Sequence, residues 1–140
     1  MSKNEIIWYF DVISPFAYLQ STRLGELPDN VSLSCRPVVF AGLLDHWGQL
    51  GPAEIPPKRE WLYKYCYRYA KLQGLAFNPP PYHPFNPLAA LRLSLTDVCH
   101  NHQRQLISAI FDAGWGRGKD ISAPDELAAI LDSAGLDGQG

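Results

Sequence analysis

A serine followed directly by proline ends the segment Asp11-Val12-Ile13-Ser14-Pro15. Serine is a favoured helix N-cap and proline suits the first helical position, so Ser14 should stand at the mouth of a helix. There the first backbone N–H groups lack intrahelical partners and carry partial positive charge. An anion brought to that mouth is stabilised, and a hydroxyl adds one hydrogen bond to it. The simpler role for Ser14 is that of a cap alone. The two roles are compatible, because the hydroxyl can turn from backbone to ligand.

Other reactive residue types are sparse. Cys35, Cys66 and Cys99 are widely spaced, and none forms Cys-x-x-Cys. That argues against dithiol redox chemistry and against a disulfide framework; small buried apolar side chains are the expectation. His100 and His102 flank Asn101 beside Cys99, but on a helix residues two apart diverge, and no matching ligand pair occurs elsewhere, so no metal site is expected. Arg117 and Lys119 lie in a glycine-rich stretch that lacks the spacing and the Ser/Thr of a phosphate-binding loop. Arg92 can pair with a carboxylate, of a substrate or in a surface salt bridge. The Trp47 region can wall an aromatic ligand or simply pack in the core.

The elements that must position these groups follow from periodicity. Residues 6–10 are continuously apolar and β-rich, as in a strand buried on both faces. A helix from Pro15 that should stop near Gly25 to Pro28 follows, then an alternating strand over 31–35. Strand, helix and strand make a parallel crossover unit. Residues 42–57 are rich in glycine and proline and read as a shaped loop anchored by Trp47, Leu50 and Ile55. A helix over 58–72 carries a stripe of Trp61, Leu62, Tyr65, Cys66, Tyr69 and Leu72, with Gly74 just past its end. Prolines 79–81 force extended chain. Asn86-Pro87 should start a helix through Leu88, Leu91, Leu95 and Val98. Another helix covers 103–113 with Leu106, Ile107, Ile110 and Phe111 inward, and the glycines at 114–118 should break it. Ser122-Ala123-Pro124-Asp125 resembles a capping box before a last helix carrying Leu127, Ile130 and Leu131, with Gly135 at its end. The fold class is therefore α/β: a βαβ unit in residues 1–40, then an all-helical region over 41–140.

Composition sets bounds. With 46% apolar and 19% charged residues over 140 positions, one packed core is affordable. A net charge of −2 gives no general attraction to nucleic acid or to an anionic membrane. The apolar run at 6–10 is too short for a signal-peptide core or a membrane span, so a soluble cytoplasmic protein is expected.

Four blocks together carry a resemblance. They are Tyr9 to Leu19 around Ser14-Pro15, Arg36-Pro37-Val38 through Gly42 to Pro56-Pro57-Lys58-Arg59, His83-Pro84-Phe85-Asn86-Pro87-Leu88 with Leu91-Arg92, and Trp115 to Ile121. In this order they resemble the 2-hydroxychromene-2-carboxylate isomerase family, which is similar to the kappa-class glutathione transferases. The resemblance implies a thioredoxin-like sheet interrupted by a helical insertion, with glutathione as cofactor and a small aromatic substrate. It implies that Ser14, where thioredoxins keep a reactive thiol, ionises the thiol of bound glutathione. The implied reaction is covalent catalysis with a borrowed nucleophile: thiolate adds to a conjugated C=C bond, the resulting single bond rotates, and elimination restores the double bond. A cation or N–H donor near the developing enolate should help. Lys58 matches a family lysine near the glutathione carboxylate. Gln49 stands where kappa-class relatives carry an asparagine that contacts glutathione. Trp47, Asn86, Pro87 and Arg92 are the implied substrate-side residues, and a homodimer is the implied assembly.

The chain departs from the family in one respect. The family returns from its helical insertion to a cis-proline loop, a β-hairpin and a last helix, whereas here the sequence stops at Gly138-Gln139-Gly140. The expectation is a C-terminally truncated chain with a bare edge on the first strand and weak glutathione binding as a monomer. The alternatives are an impaired thioredoxin-like fragment or binding module, or a glutathione transferase. A dithiol redox role is disfavoured by serine at position 14.

Overall fold

The computed structural model describes residues 4–136. The residues at which the truncation was inferred, Gly138, Gln139 and Gly140, lie outside the described residues. Strand β1 (Asn4–Phe10) pairs in parallel with β2 (Val31–Pro37), in register from Asn4 opposite Val31 to Phe10 opposite Pro37. Helix α1 (Pro15–Ser21) and a short 3-10 turn at Leu24–Glu26 connect them. This is the βαβ unit expected from periodicity.

β1 is not buried on both faces. Trp8 and Phe10 point into the core, whereas Ile6, Ile7 and Tyr9 are exposed. A strand places alternate side chains on opposite faces, so Ile7 and Tyr9 point away from the core, while Ile6, on the same face as Trp8 and Phe10, lies beyond the core's edge. Among the described residues the sheet has two strands, and the other edge of β1 carries no strand.

The region after β2 begins with a helix rather than a loop. Helix α2 (Phe40–His46) follows β2 closely and ends before Gly48, whose φ of +63° is a left-handed conformation suited to glycine. Gly42 had marked this stretch as irregular. The compensating contact is tertiary: the Asp11 carboxylate accepts the Phe40 N–H at 2.8 Å, satisfying one of the unpaired donors at the start of α2. Trp47 (72% exposed) and Leu50 (66% exposed) anchor nothing, and Ile55 is half-buried.

Helix α3 (Pro56–Leu72) packs through a narrower stripe than expected. Leu62, Cys66 and Ala70, spaced by four, are buried, while Trp61, Tyr65 and Leu72 are exposed. Trp61 and Tyr65 instead stack on each other at 5.1 Å, and Tyr65 meets Phe16 of α1 at 5.7 Å. Gly74 (φ +68°) follows the helix end, as the sequence indicated.

Helix α4 (Leu88–Leu93) is shorter than its apolar spacing suggested. The Ser94 hydroxyl donates to the Ala90 carbonyl at 2.8 Å, and Leu95 turns extended before α5 (Thr96–Cys99). A hydroxyl bonded back to the preceding turn competes with helix continuation. Leu95 and Val98 are consequently exposed.

Helix α6 (Gln103–Phe111) buries Leu106, Ile107, Ile110 and Phe111. The glycines after it do not break it. The chain widens into a π-type turn at Asp112–Gly116 in which Ala113, Gly114, Trp115 and Gly116 are all buried. Such wide turns inside helices often accompany functional sites. Helix α7 (Pro124–Ser133) packs Leu127, Ile130 and Leu131 inward, and Gly135 (φ +72°) follows it. Its N-cap is Ala123, and the Ser122 hydroxyl donates to Asp120 rather than completing a capping box.

Gly114 is needed for contact rather than for flexibility. A methyl group there would lie 2.7 Å from Ile121 Cδ1 and 3.1 Å from Ile121 Cγ1. Ile121 is fully buried and has no solvent into which to retreat. Gly114→Ala should therefore lower stability by about 1–3 kcal/mol, the usual cost of overpacking. Urea unfolding of the two proteins checks this, and an unshifted midpoint would contradict the close-packed π turn.

Candidate active site

Ser14 is a helix cap. Its Oγ accepts the Ala17 N–H at 3.2 Å, and its own N–H donates to the Asp11 carbonyl at 3.1 Å. The side chain is half-buried and lines a cavity of about 530 Å³. That volume falls within the range of small-molecule sites. No acceptor among the described residues takes the Ser14 hydroxyl hydrogen, so the cap leaves it available to the cavity.

Five segments make the walls. The start of α1 gives Ile13 to Phe16, α2 gives Phe40, Ala41, Leu44 and Asp45, the following loop gives Gln49 to Glu54, α3 gives Leu62, and His83 to Phe85 close the far side. Apart from Ser14, Gln49 and His83, the polar residues in the wall are the carboxylates Asp45 and Glu54. Glu54 is engaged by the Gly51 N–H at 2.6 Å, and the Gln49 N–H is held by the Leu44 carbonyl at 2.9 Å. These two bonds fold the glycine-rich loop back over α2. A cis peptide joins His83 to Pro84.

The structure brings together two of the site residues singled out in the sequence, Ser14 and Gln49. Lys58 is exposed and lines an adjoining groove with Phe16, Pro52, Pro57, Trp61 and Leu62. Phe16, Pro52 and Leu62 border both spaces, so the groove continues the cavity. Trp47 is outside the cavity, exposed and edge-on to His46 at 4.9 Å. Asn86, Pro87 and Arg92 are not in its wall either. Asn86 Oδ1 accepts the Leu88 N–H at 3.0 Å, Pro87 is buried, and Arg92 is exposed on α4. None of the three ion pairs among the described residues includes Arg92. The proline-rich block does reach the cavity, but through His83, Pro84 and Phe85.

Sequence reasoning missed the residues that support Ser14. Asp11 is buried and accepts from Ile13 N–H at 3.0 Å as well as from Phe40. Burial raises its pKa, and the two backbone N–H bonds oppose that shift. An aspartate bonded two residues ahead is a recognisable turn device, so this role was legible in principle. His83 was not. Its Nε2 lies 2.9 Å from the Ile13 carbonyl and its Nδ1 2.7 Å from the Tyr63 hydroxyl. A carbonyl only accepts, so Nε2 carries the hydrogen and, in the neutral ring, Tyr63 donates to Nδ1. Burial lowers the His83 pKa, the bond to Ile13 opposes this, and Arg59 adds a smaller lowering.

The chain's own thiols are not poised for chemistry. Cys35 and Cys66 are buried, and Cys99 is half-buried. Burial pushes the Cys66 thiol up to about 11 and raises those of Cys35 and Cys99. No group of three metal-ligating side chains occurs among the described residues, and no helix among them is long and apolar enough to cross a membrane.

A parallel βαβ unit with a capped helix mouth opening on a cavity, followed by a helical region, defines a thioredoxin-like protein. The profile of the DSBA-like thioredoxin domain matches residues 5–139, and the chain belongs to that family. It is 29% identical to a 2-hydroxychromene-2-carboxylate isomerase of Pseudomonas putida, over 84% of this chain and 58% of that protein. It is 22% identical to glutathione S-transferase kappa 1 of Rattus norvegicus, over 91% of this chain and 61% of that protein. The chain thus spans about three-fifths of the length of these relatives. A solved structure of a 2-hydroxychromene-2-carboxylate isomerase superposes with a TM-score of 0.79 at 22% identity, over 96% of this chain and 67% of that one. At that identity the likeness shows the fold.

His83 makes stability depend on pH. Its folded pKa lies below the ordinary 6.5, so the unfolded chain binds the proton more readily. Its contribution is complete above pH 6.5 and is lost as pH falls from there through the lowered folded value. The raised pKa of Asp11 works the other way, with a contribution lost as pH rises from 3.8 through its folded value. Urea midpoints measured across the mildly acidic range should fall with pH in the wild type and fall less steeply in His83→Gln. Parallel curves for the two proteins would contradict the assignment.

Proposed function

We propose that this chain is a glutathione-dependent isomerase acting on 2-hydroxychromene-2-carboxylate or a similar aromatic intermediate. The observation that carries this reading is that Ser14 and Gln49 face one cavity of about 530 Å³ whose remaining walls are largely apolar. The names and matched length of the relatives support the choice of reaction class.

The residues present fit a thiol tripeptide. The cavity has room for the sulfur end beside Ser14, and the adjoining groove leads to Lys58, whose ammonium suits a carboxylate. The Gln49 amide offers both a donor and an acceptor to a peptide group. Bound glutathione supplies a thiolate that adds reversibly to the conjugated double bond and so frees rotation about it. Ser14 donates its hydroxyl hydrogen to the sulfur anion, which lowers the thiol pKa. Phe40, Leu44, Leu50 and Phe85 give the cavity apolar surface on which an aromatic ring can pack. Helix α1 has only seven residues, so the hydroxyl rather than a long helix dipole is assigned the larger effect. The same constellation would suit conjugation of glutathione to electrophiles, as the kappa-class relative's name indicates for that protein.

Ser14→Ala should lower isomerase turnover between about tenfold and a hundredfold, the loss of one hydrogen bond to a charged atom. Glutathione affinity by calorimetry should change much less, because the neutral thiol also binds. Unchanged turnover would remove the serine from the mechanism. Product formed from an electrophile such as a chloronitrobenzene, with no isomerisation, would instead favour a transferase.

A further inference from the structure

We propose that His83 is a positioning residue for Ser14: as the Nε2–H tautomer that the Ile13 carbonyl requires, with its ring held in place by Tyr63, it donates to that carbonyl and thereby sets the direction in which the Ser14 hydroxyl faces the cavity. This rests on the thiolate-holding reading of Ser14.

The argument begins with the peptide unit joining Ile13 to Ser14. That unit is planar and rigid, so fixing both ends fixes the plane. At one end the Ile13 carbonyl accepts from His83 Nε2 at 2.9 Å; at the other the Ser14 N–H donates to the Asp11 carbonyl at 3.1 Å. Beyond the plane, the Ser14 carbonyl accepts the Tyr18 N–H at 3.1 Å, which holds φ at −94° and so gives the Cα–Cβ bond one direction. The bond from Ala17 N–H to Oγ, at 3.2 Å, then selects the side-chain rotamer. What is left free is the hydroxyl hydrogen, on the side of the cavity.

The imidazole is held in turn. Tyr63 on α3 donates to Nδ1 at 2.7 Å, and the ring stands edge-on to buried Trp115 at 5.0 Å and 85°. The opposite tautomer would set a bare Nε2 lone pair against the Ile13 carbonyl, which has no hydrogen to give. The Tyr63 hydroxyl can donate or accept and so fits the form that the carbonyl selects. His83 lines the cavity, but its two nitrogens are committed to protein partners, which is why its role is positioning and not proton transfer.

Two measurements test this. Nitrogen NMR of the ligand-free protein should show His83 as the Nε2–H tautomer at neutral pH; the Nδ1–H form would overturn the proposal without reference to glutathione. Ultraviolet titration of the thiolate in the glutathione complex should show the thiol pKa raised by about one unit in His83→Phe. In His83→Gln, whose amide N–H reaches the same carbonyl, it should return most of the way. Tyr63→Phe, which keeps the ring packing, should shift it the same way by less, and decides the matter if His83→Phe does not fold. A thiol pKa unmoved in both His83→Phe and Tyr63→Phe, but raised in Ser14→Ala, overturns the role of His83 and leaves that of Ser14. A thiol pKa unmoved in all of them overturns both.

Discussion

The site depends on how the carbonyls of one short turn are held. Between β1 and α1 the carbonyl of Asp11 accepts from Ser14, that of Val12 from Trp115 Nε1 at 2.8 Å, and that of Ile13 from His83. The last two donors come from 103 and 70 residues away. Each such bond contributes only about 0.5–1.5 kcal/mol net, but an abandoned buried partner costs about 1–3 kcal/mol. The turn is thus held less by the strength of any one bond than by the cost of leaving a partner unpaired. Asp11 extends the arrangement to the opposite wall by taking the Phe40 N–H of α2.

Behind the turn an unbroken run of rings links sheet to site. Trp8 stacks on Phe10 at 4.8 Å, Phe10 meets Phe111 at 6.1 Å, and Phe111 meets Tyr18 at 6.5 Å. Tyr18 reaches Phe77 at 6.4 Å, Phe77 stacks on Trp115 at 6.0 Å, and Trp115 meets His83 at 5.0 Å. Rings at these separations pack in preferred geometries and resist small displacements. The π turn after α6 is what lets Trp115 reach both Val12 and His83, and Gly114 lets that turn lie flat against Ile121. The helical region after the βαβ unit is therefore part of the scaffold of that unit's first turn.

The chemistry follows from what the chain withholds as much as from what it presents. Its three thiols are raised in pKa by burial and remain protonated at neutral pH. At the helix mouth stands a hydroxyl, too weakly acidic to ionise at neutral pH yet able to donate a hydrogen bond to an anion. The described charges of the cavity wall are carboxylates, one already bonded, with Lys58 set in the adjoining groove. That separation of charge suits an elongated ligand with unlike ends better than a compact anion.

Much was legible in the sequence. A continuous apolar run located β1, alternation located β2, helical spacing located α3, α6 and α7, and Ser-Pro marked the cap at Ser14 and the start of α1, because these are local properties of the chain. Gln49, singled out from a family resemblance, lines the same cavity as Ser14. What local signals could not decide was which apolar and glycine residues meet others. α2 formed where glycine suggested a loop because a distant carboxylate took its first N–H. Trp61 and Tyr65 lie exposed although their helical spacing suited burial, because they pack on each other and on Phe16 at the surface, and Trp47 lies exposed beside His46. Glycines 114 and 116 extend a helix by close approach where composition suggested a break. His83, Tyr63 and Trp115 support position 14 through hydrogen bonds and ring contacts across 20 to 103 residues, and no pattern within a helix turn or a strand repeat encodes such a meeting.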